Sequence, residues 1–275
     1  MPTDTIENKK KIMVIIPIIA TQYLEDVRHE VERVLAPDFS ADYTNVKQGT
    51  CFIESRYAEF LNTADIIRLS QEAEKNGYDA IYIDCFGSPG VSIVRELVDI
   101  PVIGGFDGAV LMATSLAQKF SIITVVPSVD SMLESEARDL GITNNLASIK
   151  NVDIPVQDLT NKKKLIESLL VQSKEAIEKE GAEAIVLGCT GMVDVVDENK
   201  KRFIAVLNKK MELGRTLNVL GHLSVGLSDQ LIVGESAYVD YLDKDGNLHP
   251  NLSQYPFIVL KADNSNKIRK VREEA

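Results

Sequence analysis

Gly77-Tyr78-Asp79-Ala80-Ile81-Tyr82-Ile83-Asp84-Cys85-Phe86-Gly87 has a near twin 104 residues later, Gly181-Ala182-Glu183-Ala184-Ile185-Val186-Leu187-Gly188-Cys189-Thr190-Gly191. In each copy a glycine closes a helical stretch, an acidic residue and Ala-Ile open a short apolar run, and a cysteine follows. Another glycine stands two residues beyond each cysteine. A run of this length, bounded by glycines and rich in β-branched residues, reads as a buried strand of a parallel sheet. The ordered pair implies two homologous α/β halves, each presenting a cysteine at the carboxyl end of a parallel strand.

The surrounding sequence extends the repeat. Ile12 to Ile16 ends at Pro17 and Ile122 to Val126 ends at Pro127; these prolines precede Cys85 and Cys189 by 68 and 62 residues. Short apolar runs alternate with amphipathic stretches, the pattern of βαβ units. Strands are predicted over 11–16, around 45, and over 79–84, 101–103, 120–126 and 183–187. Helices are predicted over 23–35, 57–76, 131–140 and 161–180. Glu54 and Ser55 read as caps of the helix that begins near Tyr57. Lys162-Lys163-Lys164 reads as the opening of a solvated helix with no further role.

A third echo joins Pro101-Val102-Ile103-Gly104 to Asn218-Val219-Leu220-Gly221. It suggests that the chain crosses between halves, with a first α/β domain formed by 1–107 plus about 208–275 and a second by about 108–207. Beyond residue 234, Asp243-Lys244-Asp245-Gly246-Asn247 is a hairpin turn, and 257–260 reads as a strand. Those acids do not form a calcium loop, because the first and twelfth ligand positions would fall on Tyr241 and Leu252.

With 45% apolar and 26% charged residues in 275, the chain has ordinary globular composition and core enough for two domains. A net charge of -11 opposes non-specific nucleic-acid binding, which depends on lysine and arginine. The apolar run 12–20 is too short for a membrane span, which takes about 20 residues. Three cysteines make no disulfide framework, so reduced thiols in a cytoplasmic protein are expected. There is no CxxC pair, no GxGxxG fingerprint and no P-loop, so neither metal nor nucleotide cofactor is expected. A homo-oligomer is compatible with base rates.

A single cysteine at a strand end is ordinarily a small buried hydrophobe, and Cys51, which has no twin, is read that way. Two at equivalent positions of a repeat, each followed by a glycine-containing turn, point to chemistry. Ligands of open α/β sheets lie beyond the carboxyl ends of the strands. Backbone N–H groups at such turns stabilise a thiolate and lower its pKa. If the halves face each other, one sulfur takes a proton from a carbon beside a carbonyl while the other returns one to the opposite face.

These residues resemble the aspartate/glutamate racemase superfamily, and within it the hydantoin (allantoin-like) racemase branch. The resemblance rests on Cys85-Phe86-Gly87-Ser88-Pro89-Gly90 with Arg95-Glu96 and on Gly188-Cys189-Thr190-Gly191-Met192. Ile53-Glu54-Ser55, 101–104 and 120–124 add to it, so that it covers about residues 11 to 193. It implies two pseudo-symmetric Rossmann-like or flavodoxin-like domains with the active site in the cleft between them. It also implies cofactor-independent racemisation of a hydantoin-like or small amino-acid-derived substrate, with Cys85 and Cys189 as opposed acid and base. Backbone donors at Phe86, Gly87, Thr190 and Gly191 would orient the substrate, with Thr124 as a further contact. Ser88 stands where the branch has aspartate, and its Asn-Pro-Asn loop is replaced by Ile16-Pro17-Ile18-Ile19-Ala20-Thr21. That change implies a less polar ligand, with Thr21 as the substitute contact. Decarboxylation or cis–trans isomerisation of small carboxylic acids, and noncatalytic ligand binding, are the alternatives on the same scaffold.

Overall fold

The computed structural model describes residues 9–192, 195, 218–220, 241–242 and 248–249. The first half comprises β1 (Lys10–Ile16), α1 (Leu24–Val34), β2 (Phe39–Asn45), α2 (Arg56–Lys75), β3 (Ala80–Ile83), α3 (Val91–Arg95) and β4 (Val102–Gly104). After α4 (Gly105–Leu116) come β5 (Phe120–Thr124), α5 (Asp130–Asp139), β6 (Leu146–Asn151), α6 (Lys162–Glu180), β7 (Ala184–Leu187) and β8 (Asn218–Leu220).

The two sheets have orders β2-β1-β3-β4 and β6-β5-β7-β8, and every adjacent pair in them is parallel. In each half the chain runs to one side of its first strand and then crosses back to the other. That makes a topological switch between β1 and β3 and another between β5 and β7, the place where open α/β sheets bind ligands. Cys85 and Cys189 directly follow β3 and β7.

Register fixes the correspondence between the halves. Ile15 pairs with Ile83 as Ile123 pairs with Leu187. Ile16 pairs with Asn45 as Thr124 pairs with Asn151. The proline match in the sequence is therefore offset by two: Pro17 corresponds to Val125, not to Pro127. Proline marks where a strand stops more loosely than the ladder does.

The elements form for local reasons. α1 buries Val27, Glu30, Val31 and Val34, a stripe at helical spacing. α2 starts where the Ser55 hydroxyl accepts the Ala58 N–H at 3.2 Å, and α6 where Asn161 Oδ1 accepts the Lys164 N–H at 3.2 Å. Gly181, at φ +75°, ends α6 in the left-handed conformation that glycine adopts without strain. Val14, Ile15 and Ile16 of β1 are wholly or almost wholly buried, because helices cover both faces of this sheet.

Two expectations are corrected. β6 was not foreseen: its sequence Leu-Ala-Ser-Ile-Lys-Asn lacks an apolar run, and as an edge strand it is only half-buried. The segment at 218–220 does not return to the first half; it lies beside β7, pairing Ala184 with Asn218, as β4 lies beside β3. What crosses over is α4, which packs against β7 and β8 as well as β4. Phe106, Ala109 and Val110 of α4 are fully buried in an apolar cluster that runs continuously from the α1 face of the first sheet into the second half. The expected boundary at 107 thus falls inside a helix. Most of 208–275, including the strand expected at 257–260, lies outside the described residues. Tyr241–Leu242 and Leu248–His249 pair antiparallel on either side of the expected hairpin turn.

Among the described residues no helix is long and apolar enough to cross a membrane. α2 carries Tyr57 and Phe60 at 71% and 76% exposure, whereas Leu169 of α6 is fully buried. Urea titration should show Leu169→Ala destabilised by about 2–5 kcal/mol. Tyr57→Ser should stay within about 0.5 kcal/mol of the parent.

Candidate active site

The two cysteine turns are held in the same way. The Asp84 N–H donates to the Ile15 carbonyl at 2.9 Å and the Gly188 N–H to the Ile123 carbonyl at 2.8 Å. These are the last rungs between β3 and β1 and between β7 and β5, so each cysteine is the first residue past that ladder; the Cys85 carbonyl still accepts the Gly105 N–H at 3.2 Å. Beyond it the chain turns back: Ser88 N–H bonds the Cys85 carbonyl, and Met192 N–H bonds the Cys189 carbonyl, both at 3.1 Å. Each turn also directs one amide at a sulfur, Gly87 N–H at Cys85 and Gly191 N–H at Cys189.

The first turn is further locked by Ser88. It adopts a left-handed φ of +46°, and its buried hydroxyl accepts the Phe106 N–H at 3.2 Å at the start of α4. A Cβ on Gly104 would sit 2.2 Å from the Ser88 hydroxyl, so this crossing requires glycine. Gly188 is constrained equally: a Cβ there would lie 2.9 Å from Ile122 Cγ2 and 3.0 Å from Thr124 Cβ.

The turns face one cavity of about 330 Å³ between the halves, a volume suited to a small molecule. Cys85, Phe86 and Gly87 line it from one side, and Thr124, Cys189, Thr190 and Gly191 from the other. Ile16, Ile18, Val27, Phe52, Met132 and Leu133 supply apolar wall. Three bonds across the halves frame this cleft. Glu54 Oε1 accepts the Val156 N–H at 2.6 Å, the Glu54 carbonyl accepts the Ser128 hydroxyl at 2.5 Å, and Arg56 donates to the Ser131 carbonyl at 2.7 Å. Ser55 is the cap that the sequence suggests, whereas Glu54 tethers the two halves.

Burial dominates the electrostatics. It pushes both thiols up to about 12, against the opposing pull of the Gly87 and Gly191 amides. The expectation that turn amides depress these pKa values is therefore corrected. The turn amides do pull each pKa down, but desolvation outweighs them. The Cys189 charge adds to the rise at Cys85, so the two sulfurs lie in each other's field. Asp84 lines the same cavity, and burial raises its carboxyl to about 7, with Tyr82 opposing and Glu30 reinforcing the shift.

Seven of the eight candidate site residues line the cavity, and Thr21 does not: it is exposed, in a short turn before α1. Thr124 lines the wall, but its hydroxyl donates to the Gly188 carbonyl at 3.1 Å and so braces the second turn. Lys162, assigned to a solvated helix end, also lines the cavity. Asp84 and Glu30 escaped notice as site residues. The signal for Asp84 is in the repeat, where a carboxylate stands opposite Gly188. Among the described residues there is no group of three or more histidine, cysteine or acidic side chains placed to hold a metal ion.

A family model described as Asp/Glu/Hydantoin racemase matches residues 12–209. A second model, described as a protein of unknown function (DUF2000), matches 201–275. A hydantoin racemase from Paenarthrobacter aurescens is 37% identical over 185 residues, covering 66% of this chain and 78% of that one. Another, from Pseudomonas sp. (strain NS671), is 33% identical over 192 residues, covering 70% and 77%. The structure of an allantoin racemase from Klebsiella pneumoniae superposes with a TM-score of 0.65 at 28% identity, covering 70% of this chain and 80% of that one.

Three measurements test this description. Iodoacetamide at pH 8, followed by peptide mass spectrometry, should label exposed Cys51 first and spare Cys85 and Cys189, whose labelling should accelerate toward pH 11. Gly188→Ala should lower urea stability by about 1–3 kcal/mol through overpacking against Ile122 and Thr124. With its carboxyl raised from 3.8 to about 7, folded Asp84 keeps a proton that the unfolded chain releases, so this group's contribution falls as pH rises through that window. Asp84→Asn should therefore gain stability relative to wild type between pH 4.5 and pH 7.5.

Proposed function

The chain belongs to the Asp/Glu/Hydantoin racemase family and is an isomerase, a racemase; from that premise we propose that it inverts a carbon beside a carbonyl in a hydantoin-like ring, with Cys85 and Cys189 as a two-base pair and no cofactor. The observation that carries the reading is the shared environment of the two sulfurs. Each lies beyond the last rung at a topological switch, accepts the amide two residues on, and faces the same cavity.

The ring enters between the two turns with its reacting carbon between the sulfurs. One cysteine first gives up its thiol proton to solvent and then, as thiolate, takes the C–H proton from one face. The electron pair passes into the adjacent carbonyl as an enolate, and the other cysteine, as thiol, delivers its proton to the opposite face. The product has inverted configuration, and the two sulfurs have exchanged protonation states. No atom other than hydrogen is transferred. Exclusion of water strengthens the electrostatic contacts to the enolate, and backbone N–H groups of the turns are the nearest donors for its oxygen.

Decarboxylation or cis–trans isomerisation would engage a single cysteine as donor or nucleophile. Either use leaves the second thiol, held by the same geometry, without a task. A noncatalytic binding protein would need neither. The cavity is closed off largely by apolar side chains, which suits a ring bearing an apolar substituent.

In deuterium oxide, a chiral 5-substituted hydantoin should lose optical rotation and gain deuterium at the ring carbon, followed by polarimetry and NMR. Cys85→Ser and Cys189→Ser should each slow racemisation by about 10²–10⁴-fold. Unchanged racemisation in either variant would remove that cysteine from the mechanism.

A further inference from the structure

The pseudo-symmetry of the halves breaks in one place. On the face of the first sheet covered by α1, alternation puts Tyr43 and Asn45 of β2 on one side of Val14 and Ile16 of β1, and Tyr82 of β3 with Asp84 just beyond it on the other. Their register equivalents in the second half are Ile149, Asn151, Val186 and Gly188. Polar side chains thus flank the apolar central strand where three of the four equivalents in the other half are apolar or glycine. Asn151 has a partner, donating to Asp130 Oδ1 at 2.8 Å. The first half is less well satisfied: Tyr43 Oη, Asn45 Oδ1, Tyr82 Oη and Asp84 Oδ1 are all buried with no partner at full hydrogen-bond geometry, although the Tyr82 hydroxyl lies near enough to Asp84 to hold its pKa down. A native core leaves few such groups, and four on one sheet face point to something that belongs there.

Asp84 is the member of this group that reaches the cavity. It is 5% exposed and lines the cavity together with Glu30 and Asp26 of α1. Arg33 pairs with Glu30 at 2.6 Å, so the Glu30 charge is partly compensated, and Arg28 stacks over the Tyr43 ring at 4.9 Å. Lys162, which also lines the cavity, belongs to the second half. The end of the cavity under α1 therefore carries three carboxyl groups, and one oxygen of the buried Asp84 has no partner at full hydrogen-bond geometry.

Resting on the racemase reading, we infer that the substrate's ring substituent ends in a cationic nitrogen, a protonated amine, which enters the pocket under α1 and bonds Asp84. An alkyl stem would lie on Ile16, Ile18 and Val27, the apolar wall that replaces the family's polar loop, and its ammonium group would meet the carboxylate at the end. Asp84 is thus a specificity-determining residue that anchors the substituent while the ring carbon sits between the sulfurs. A charge-assisted bond in a buried site strengthens binding about 10- to 100-fold over a neutral contact.

The test compares two hydantoins of matched length, 5-(4-aminobutyl)hydantoin and 5-pentylhydantoin, in wild type, Asp84→Asn and Glu30→Gln. The ratio of kcat/KM for the two compounds, followed by polarimetry, is the readout. Wild type should favour the aminobutyl compound by about tenfold or more, and the ratio should collapse toward one in Asp84→Asn. If Asp84→Asn does not fold, a lowered ratio in Glu30→Gln supports the subsite, and an unchanged one sinks it. A wild-type ratio near one, with both compounds racemised, overturns the inference and leaves internal waters as the occupants of the pocket. If neither compound is racemised, the racemase substrate reading fails instead. Thermal shift then decides the subsite: a larger rise in Tm with the aminobutyl compound, lost in Asp84→Asn, supports it, and equal rises overturn it.

Discussion

Everything about the cleft depends on where two parallel ladders stop. The Asp84 amide reaches back to Ile15 and the Gly188 amide to Ile123, and past those bonds neither strand pairs with its half's first strand. The chain must turn there, and the residue at the turn is a cysteine in both halves. Because each sheet reverses strand order at that point, the space beyond is left open by the helices leaving in opposite directions. Strand pairing alone therefore sets the position of both sulfurs. The apolar cluster joining the halves, with α4 packed onto the second sheet, then aims the two turns at each other.

That arrangement places thiols in a setting hostile to charge. Amides from the turns favour the thiolate, but a small cavity walled by isoleucine, valine and leucine favours the neutral form more strongly, and both sulfurs rest protonated at neutral pH. A bound ring brings carbonyl dipoles and removes the remaining solvent. The charge balance at the sulfurs is thus a property of the complex and not of the free protein.

The halves, their parallel sheets and the paired cysteines were legible because the signals were local and doubled. A chance match is easily found once, but an ordered repeat of strand, cysteine and glycine constrains the register of a whole sheet. What stayed hidden was edge and context. β6 is a half-exposed edge strand whose polar residues carry no strand signature, and the place of 218–220 depends on which strand offers a free edge. Thr21 was chosen from a sequence resemblance, yet it faces outward because the loop after β1 is folded back by Asn45, whose side chain donates to the Ile18 carbonyl at 2.9 Å. Asp84 was printed in the motif from the start. Its importance emerges only when register sets it opposite a glycine and packing leaves one of its oxygens alone.

The near-identical footing of the two sulfurs has a thermodynamic side. A reaction that interconverts mirror images has an equilibrium constant of one, so catalytic efficiency must be the same in both directions. In the proposed reaction the protein emerges from each turnover primed for the opposite hand. Two thiols each raised to about 12 by burial and each opposed by one amide bring those two primed forms close in energy. Such a protein needs no costly resetting step and divides its time evenly between the two hands of its substrate.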